Sequence, residues 1–267
     1  GGNYNVVVGD EAGTALTTGD NNTAVGFEAL KTVTTASDNT AVGLSALKLN
    51  TSGLQNTAIG SGVMAANTSG ARNTAVGYQS LDANTEGDDN TSFGRRSLST
   101  NTTGSENTAI GTQALALNLT GSDNVAMGYN AGLSVTTGIQ NTLIGTQAGD
   151  ALTDADDNVA VGKSALSGDT LGSNSVAVGQ ATLANQNFTT ATDSNNVAVG
   201  YNAGNAVTTG INNTIIGALA GDALTDADYN VAVGTEALGT DTLGNRSVAI
   251  GRKALATQNF TTATSAY

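Results

Sequence analysis

The chain has 267 residues and a net charge of −13, and it contains no His, Cys, Pro or Trp. Without His it lacks the commonest general base and transition-metal ligand, and without Cys it has no thiolate for a metal. Its nine Lys and Arg residues are spread along the chain, whereas nucleic-acid binding needs clustered cations. We therefore expect no enzyme, no catalytic residue, no cofactor, no metal site and no nucleic-acid binding. Membrane insertion is not expected either, because no apolar run approaches roughly 20 residues.

A pentapeptide of the NTAVG type recurs along the chain and ends on a glycine, which we call the marker glycine. Markers stand 17 residues apart from Gly9 to Gly179, and the same spacing resumes from Gly200 to Gly251. The step from Gly179 to Gly200 is 21 residues, which is a four-residue insertion. The 15 markers predict a single repeat array of about 15 coils over residues 1–267.

A longer repeat is superimposed on the short one. Segment 124–195 returns as segment 196–267, at an offset of 72 residues that equals four 17-residue units and the insertion. Neither end of the array changes in a way that would cap exposed strand edges. We therefore expect this array to be a segment of a longer fibre.

Each 17-residue unit is rich in β-branched and turn-forming residues and is too short for a pair of helices. The sequence therefore predicts an all-β fold, a parallel β-solenoid with one unit per coil. We expect each coil to hold two short strands and two turns. Strands of successive coils would pair in register about 4.8 Å apart.

The first recurring feature of the coils is an Asn four residues before the marker. It is present in 13 of 15 units, with Ser175 and Ser247 as the exceptions. A stacked Asn side chain can bond its own turn and the next amide in the stack. We therefore predict a structural turn ladder. It includes Asn22, Asn39, Asn56, Asn73, Asn90, Asn107, Asn124, Asn141 and Asn158.

The residues between this Asn and the marker form the predicted strand. The last strand residue is always apolar, as in Val25, and the one before it is usually Ala, as in Ala24. Because neighbouring strand residues point to opposite faces, both faces of the strand are apolar. A lone solenoid needs only one apolar face, so we expect partner chains to bury the other. The alternative is an outer face of tolerated Ala residues.

The second half of the coil shows compensation between two positions. Four residues after the marker most units have Leu or Met, but five units have Gly, and an apolar residue then follows three positions later. Gly149 with Leu152 is one example, whereas Leu47 is followed by the polar Asn50. Close-packed interiors tolerate neither a void nor an extra side chain. We therefore predict that both positions point inward.

The repeated NTAVG or NVAVG pentad, the Ala-Leu after it and the Thr-Gly turn resemble the YadA-like head repeats of trimeric autotransporter adhesins. NTAVGYQSL with NTSG is similar to repeats of phage tail fibres. The resemblance covers essentially the whole chain, although the 17-residue coil and the 72-residue repeat depart from the adhesin heads. It implies a left-handed parallel β-roll and a homotrimer with two further copies of the chain. It also implies an extracellular location, on a virion tail fibre or a cell surface.

Phe188 lies in the 21-residue step, and Phe260 repeats it 72 residues later. An insertion in a solenoid projects from one face, often the binding face. One interpretation makes these rings surface contacts for a host glycan or protein. The alternative is that each ring is tucked against the roll or against a partner chain.

Two acidic clusters also recur at the 72-residue offset, Asp154/Asp156/Asp157 and Asp226/Asp228. Oxygen-rich clusters can bind Ca²⁺, but this spacing fits neither an EF-hand nor an RTX repeat. We interpret them as solvated turn residues. N-x-[ST] sequons at Asn50, Asn67, Asn101 and Asn118 are interpreted as by-products of an Asn- and Thr-rich turn.

These observations favour a structural or adhesive fibre segment that projects a host- or surface-binding tip. One alternative is an ice- or crystal-binding β-solenoid that uses a Thr ladder. The replacement of Thr by Val125 and Val159 in that ladder argues for burial instead. A second alternative is a cellular surface filament or matrix protein.

Overall fold

The computed structural model describes residues 2–262 and the backbone of residues 264–265. It is an all-β, parallel β-solenoid with coils of about 17 residues, as predicted. In these residues no helix is long and apolar enough to cross a membrane. The chain divides into two compact units, residues 1–130 and residues 131–267, which we call unit 1 and unit 2.

Unit 1 is a stack of three-residue strands that pair in parallel in chain order. Paired residues are 17 positions apart, so that Ala24 pairs with Ala41 and Ala41 with Ala58. The strands are β1 (Val6–Val8), β2 (Thr23–Val25), β3 (Thr40–Val42), β4 (Thr57–Ile59), β5 (Thr74–Val76), β6 (Thr91–Phe93), β7 (Thr108–Ile110) and β8 (Val125–Met127).

Unit 2 repeats this pattern and adds two pairs of two-residue strands, β11 with β13 and β17 with β19. Ala177 pairs with Ala198, so the four-residue insertion leaves the register of the main sheet unchanged. The strands are β9 (Thr142–Ile144), β10 (Val159–Val161), β11 (Gly172–Ser173), β12 (Val176–Val178), β13 (Thr192–Asp193), β14 (Val197–Val199), β15 (Thr214–Ile216), β16 (Val231–Val233), β17 (Gly244–Asn245), β18 (Val248–Ile250) and β19 (Thr264–Ser265).

The prediction of two strands in every coil is wrong for most coils. Residues outside the main strand repeatedly take left-handed backbone angles, for example Asn21 with φ 57°, Glu28 with φ 57° and Leu30 with φ 49°. Such residues turn the chain and cannot continue an extended strand. Backbone hydrogen bonds still join successive coils there, as from Thr51 N–H to the Thr68 carbonyl at 2.9 Å.

The marker glycine forms the corner after each main strand. Gly43 has φ 136°, and a Cβ on it would lie 2.3 Å from the carbonyl oxygen of Gly60. Only glycine combines this angle with so close a backbone approach. A positive φ of 118–143° recurs at all 15 marker glycines, which explains why the marker is invariant within the chain.

The core is built from the small side chain of the strand and the large one of the opposite half-coil. Ala41, Leu47 and Leu152 are fully buried, which confirms that both compensating positions point inward. The alternative of an outer Ala face is wrong, since the Ala side chains are buried and the large residue of the strand faces outward. Leu255 is 42% exposed, because the described residues include no complete coil beyond it.

The inward Leu and Gly of the second half-coil share one backbone conformation. Leu47 has φ 49° and Gly149 has φ 55°. Glycine fits this left-handed region without strain, which makes it the natural replacement for Leu. The side chains of Leu143 and Leu152 fill the space that a Leu at this position would occupy. A Cβ on Gly149 would lie 2.7 Å from Leu143 and 2.9 Å from Leu152.

Candidate functional site

The predicted Asn ladder lies inside the coils, and every member is fully buried. The Asn39 Oδ1 accepts the amide N–H of Asn56 at 3.0 Å, and its Nδ2 donates to the Gly53 carbonyl at 3.0 Å. Repetition of this pattern satisfies polar backbone groups that would otherwise be buried without partners. The ladder therefore holds successive coils in register, and its amide groups are hydrogen-bonded to groups of the same chain.

The ladder changes where Ser175 replaces Asn. The Ser175 amide still donates to Asn158 Oδ1 at 2.9 Å, but its side chain bonds the Ser194 hydroxyl at 2.5 Å instead of a backbone carbonyl of the next turn. The Gln186 Nε2 donates to Ser175 Oγ at 3.0 Å, and Gln186 Oε1 accepts from Asn196 Nδ2 at 2.9 Å. Gln186 thus bridges the ladder across the insertion.

A second Asn ladder in unit 1 was not predicted. The Asn67 Nδ2 donates to Asn50 Oδ1 at 2.9 Å and to the Gly70 carbonyl at 2.9 Å. The signal was present in the sequence as Asn seven residues after the marker and Gly three residues later. The members are Asn50, Asn67, Asn84, Asn101 and Asn118, all fully buried. Four of them head sequons, so in the folded chain these amides are inaccessible to glycosylation.

Phe188 is not a surface contact, because its ring is only 6% exposed. The ring lies on Gly172, where a Cβ would approach Phe188 Cδ2 to 2.7 Å. Asp169 holds the inserted segment in place. Its Oδ1 accepts the N–H groups of Gly172 at 3.1 Å and Phe188 at 3.0 Å, and its Oδ2 accepts Gln186 Nε2 at 2.5 Å. The interpretation as a binding knob is therefore wrong for Phe188, since the insertion folds back onto its own coil.

Phe260 makes the equivalent contacts. A Cβ on Gly244 would lie 2.7 Å from its ring, and its N–H donates to Asp241 Oδ1 at 2.9 Å. The ring is half-buried in the described residues. The alternative of a ring tucked against the roll describes both phenylalanines.

The acidic clusters serve the turns. Asp156 Oδ1 accepts the N–H of Ile139 at 2.7 Å, and Asp228 Oδ1 accepts that of Ile211 at 2.8 Å. In the part of the chain that the structure describes, no group of three or more His, Cys, Asp or Glu residues is placed to hold a metal. The contacts join each turn to that of the preceding coil.

The first and third residues of the main strands point outward and form what we call the outer sheet face. No position on this face is charged. Its third-residue column is apolar throughout and partly exposed, with Ile59 41%, Phe93 40% and Met127 42% exposed. An exposed apolar column of this kind is uncommon on the surface of a monomeric protein.

The first-residue column differs between the units. In unit 1 it holds Thr in six consecutive strands, and in unit 2 it is mostly Val. Within the described residues these Thr hydroxyls of unit 1 have no hydrogen-bond partner, whereas the hydroxyl of Thr51 in the opposite turn donates to Thr68 at 2.9 Å. The residues are Thr23, Thr40, Thr57, Thr74, Thr91 and Thr108 in unit 1, and Val159, Val176, Val197, Val231 and Val248 in unit 2.

One group of charged residues outside the outer sheet face pairs locally. The Lys31 and Lys48 ammonium groups, at 2.8 and 2.6 Å, hold the pKa of Glu28 at about 2. Burial raises the pKa of Asp150 and of Asp82 above the ordinary value. The Ser45 hydroxyl also donates to Glu28 Oε2 at 3.2 Å.

A surface cavity of about 270 Å³ lies in unit 2. Burial, with a smaller contribution from Glu236, raises the pKa of Asp222 at its edge. None of the predicted site residues lines this cavity. The lining consists of Leu219, Asp222, Glu236, Gly239, Thr240 and Ala256.

No protein-family model, curated protein or solved structure matches the chain.

Proposed function

We propose that the chain is a structural and adhesive fibre segment whose copies associate side by side through the outer sheet face. The observation that carries this proposal is the combination of an uncharged, partly exposed apolar face with a net charge of −13. Strongly like-charged copies repel one another, so close approach is favoured where charge is absent. Interface cores are depleted of charged residues in the same way.

The resemblance to trimeric adhesin heads and tail-fibre repeats favours three copies. A closed ring of three would bury the outward Val, Ile, Phe and Met column of every copy. Three chains of 26.3 kDa give an assembly of about 79 kDa. Burying apolar surface that is exposed in the single chain would supply the driving force, at roughly 25 cal/mol per Å².

The interior of the coil suits a fibre. Two Asn ladders and the in-register strands connect each coil mainly to its neighbours, so length can grow by duplication of one unit. A segment of this kind would hold a tip that binds a host glycan or protein away from a virion or cell surface. Its location would then be extracellular.

Sedimentation velocity of the full chain tests the association, with Val76→Lys as the disrupting variant and Ser69→Lys as its control. Both add one positive charge, but Val76 lies on the outer sheet face and Ser69 is exposed in the opposite turn. We expect about 79 kDa for the wild type and for Ser69→Lys, and 26.3 kDa for Val76→Lys. A monomeric wild type at micromolar concentration would refute the proposal.

Ice or crystal binding is a second candidate, favoured by one observation. Six successive Thr residues of unit 1 stand in register on the outer sheet face, and their hydroxyls bind no other group among the described residues. A thermal-hysteresis assay of the full chain, with Thr74→Lys as the variant, tests it. Activity that disappears in Thr74→Lys would favour this candidate over side-by-side association, because the face must then be open to solvent.

A further inference from the structure

The outer sheet face of each coil is bordered by two exposed columns. The entry column lies two residues before the strand and the exit column two residues after it. In the coil of β10 these positions are Asp157 and Lys163, and both are exposed. Within the described residues neither side chain has a hydrogen bond or an ion pair.

Neither charge has an oppositely charged neighbour in its own column. The 17-residue register stacks Asp157 between Gln140 and Asn174, and Lys163 between Thr146 and Gln180. The two residues are six positions apart, up to roughly 20 Å along an extended chain, on opposite sides of the strand. They are therefore not partners within one copy.

Unit 1 contains a similar arrangement at β6. The exit-column residue Arg95 is exposed and without an ion pair in the described part of the chain, and the entry-column residue of the same coil is Asp89. Asp89 also accepts Arg72 Nε at 2.7 Å within its own chain. The third basic exit residue, Arg252, has Arg246 as its entry residue, so that coil does not follow the pattern.

Charges at these borders can fix the register between copies, which the outer sheet face alone cannot fix. Successive coils present nearly the same outward Thr or Val and apolar pair, so copies shifted by a whole coil would pack almost equally well. Register is weakly specified wherever a surface repeats itself. Shifting one copy by a single coil would place Lys163 opposite Gln140 or Asn174 instead of Asp157.

Resting on the proposed association, we infer that Lys163 of one copy pairs with Asp157 of its neighbour at the same coil level, with Arg95 and Asp89 as a second contact of this kind. Rotation about an axis parallel to the stack brings the exit column of one copy beside the entry column of the next. An antiparallel arrangement would bring like columns together. Both pairs favour parallel association, and the Lys163–Asp157 pair selects the register, since a one-coil shift would bring Arg95 opposite Arg72 or Glu106.

Charge reversal in the full chain tests the inference. Asp157→Lys and Lys163→Asp each place like charges opposite each other at every contact, and the double variant restores opposite charges. We expect each single variant to raise the midpoint concentration of association roughly tenfold or more at 50 mM salt, and the double variant to return to within about threefold of wild type. The differences should shrink at 0.5 M salt, where charges are screened.

A cross-linking experiment tests the register directly. The chain has no Cys, so Asp157→Cys/Lys163→Cys introduces the only thiols for a short bis-maleimide. Covalent trimers are expected for this variant, and few for Asp157→Cys/Ala218→Cys, which is three coils, or about 14 Å, out of register.

The outcomes separate the inference from the proposal beneath it. Single reversals that associate like wild type, a double variant that fails to recover, or equal cross-linking of the two cysteine pairs would overturn the ion pair. In each case the proposed association would still stand if the wild type is a trimer and the Val76→Lys variant is a monomer. A monomeric wild type would overturn both.

Discussion

Unit 1 and unit 2 use the same coil but fill it differently. In most coils of unit 1 a Leu or Met in the second half-coil is followed by a buried Asn that joins a ladder. Several coils of unit 2 instead pair Gly with an apolar residue, as in Gly149 with Leu152, or use Asp169 and Gln186. One backbone therefore accepts two interiors, provided that the volume and the hydrogen bonds of each coil are both satisfied.

Conversion of a unit 1 coil into the unit 2 type gives the largest expected effect. Asn84→Leu puts a larger apolar side chain near Leu81 and removes a hydrogen-bond partner from both Asn67 and Asn101. We expect a loss of about 3–5 kcal/mol in the free energy of unfolding, from overpacking and unpaired amides together. Urea unfolding followed by circular dichroism measures it.

The matched control is the double variant Leu81→Gly/Asn84→Leu, which recreates the unit 2 pairing. Removal of the Leu81 side chain relieves the crowding, although the ladder stays broken. About half of the lost stability should return. A double variant no more stable than Asn84→Leu would show that the two interiors are not interchangeable.

Asp169 tests whether the insertion of unit 2 depends on a single carboxylate. Asp169→Ala leaves the buried N–H groups of Gly172 and Phe188 without their acceptor. We expect a loss of about 2–4 kcal/mol, with faster hydrogen exchange at the Phe188 amide. Asp154→Ala, at an exposed turn of the same unit, serves as the control and should change stability by less than about 1 kcal/mol. Unchanged exchange at Phe188 would contradict the anchoring role.

The half-buried carboxylates give the smallest expected effect. Burial raises the pKa of Asp150, so the folded chain binds its proton more tightly than the unfolded chain does. Stability should therefore fall as pH rises from the ordinary Asp pKa through the raised one, and stay lower at neutral pH. Asp150→Asn should remove this slope and gain less than about 1 kcal/mol at pH 7, because the group is partly exposed.

Asp82 of unit 1 sharpens the comparison. Its pKa is also raised by burial, but the nearby Arg96 acts in the opposite direction. Asp82→Asn should also gain less than about 1 kcal/mol at pH 7, because the group is only half-buried. Thermal melts between pH 3 and pH 7 measure both variants, and a loss of stability at pH 7 in either one would contradict burial as the main cause of the raised pKa.

The repeat predicted the parts of the fold that depend on period. Gly43 and its equivalents specify the corner, the buried Asn39 belongs to a column visible in the sequence, and Leu47 with Gly149 reveals the inward positions. The single strand per coil was missed because left-handed angles occur at residues such as Glu28, which have no sequence signature for them.

The sequence pattern also could not predict which strand side chains point into the core. Alternation shows that Ala24 and Val25 point to opposite faces, but not which of them is inside. The coil is narrow, and the opposite Leu already fills it, so the small residue takes the interior. The exceptions Leu143 and Ile215 are buried in coils where Gly149 and Gly221 leave room.

Thiol labelling measures the burial of the outer sheet face by partner copies most directly. In this chain without native Cys, Val76→Cys places a thiol on the face and Ser69→Cys places one in the opposite turn. At concentrations where the wild type sediments at about 79 kDa, we expect the thiol of Val76→Cys to be labelled at least about tenfold more slowly than that of Ser69→Cys. The protection should be lost on dilution to monomers. Equal labelling rates in the assembled state would contradict it.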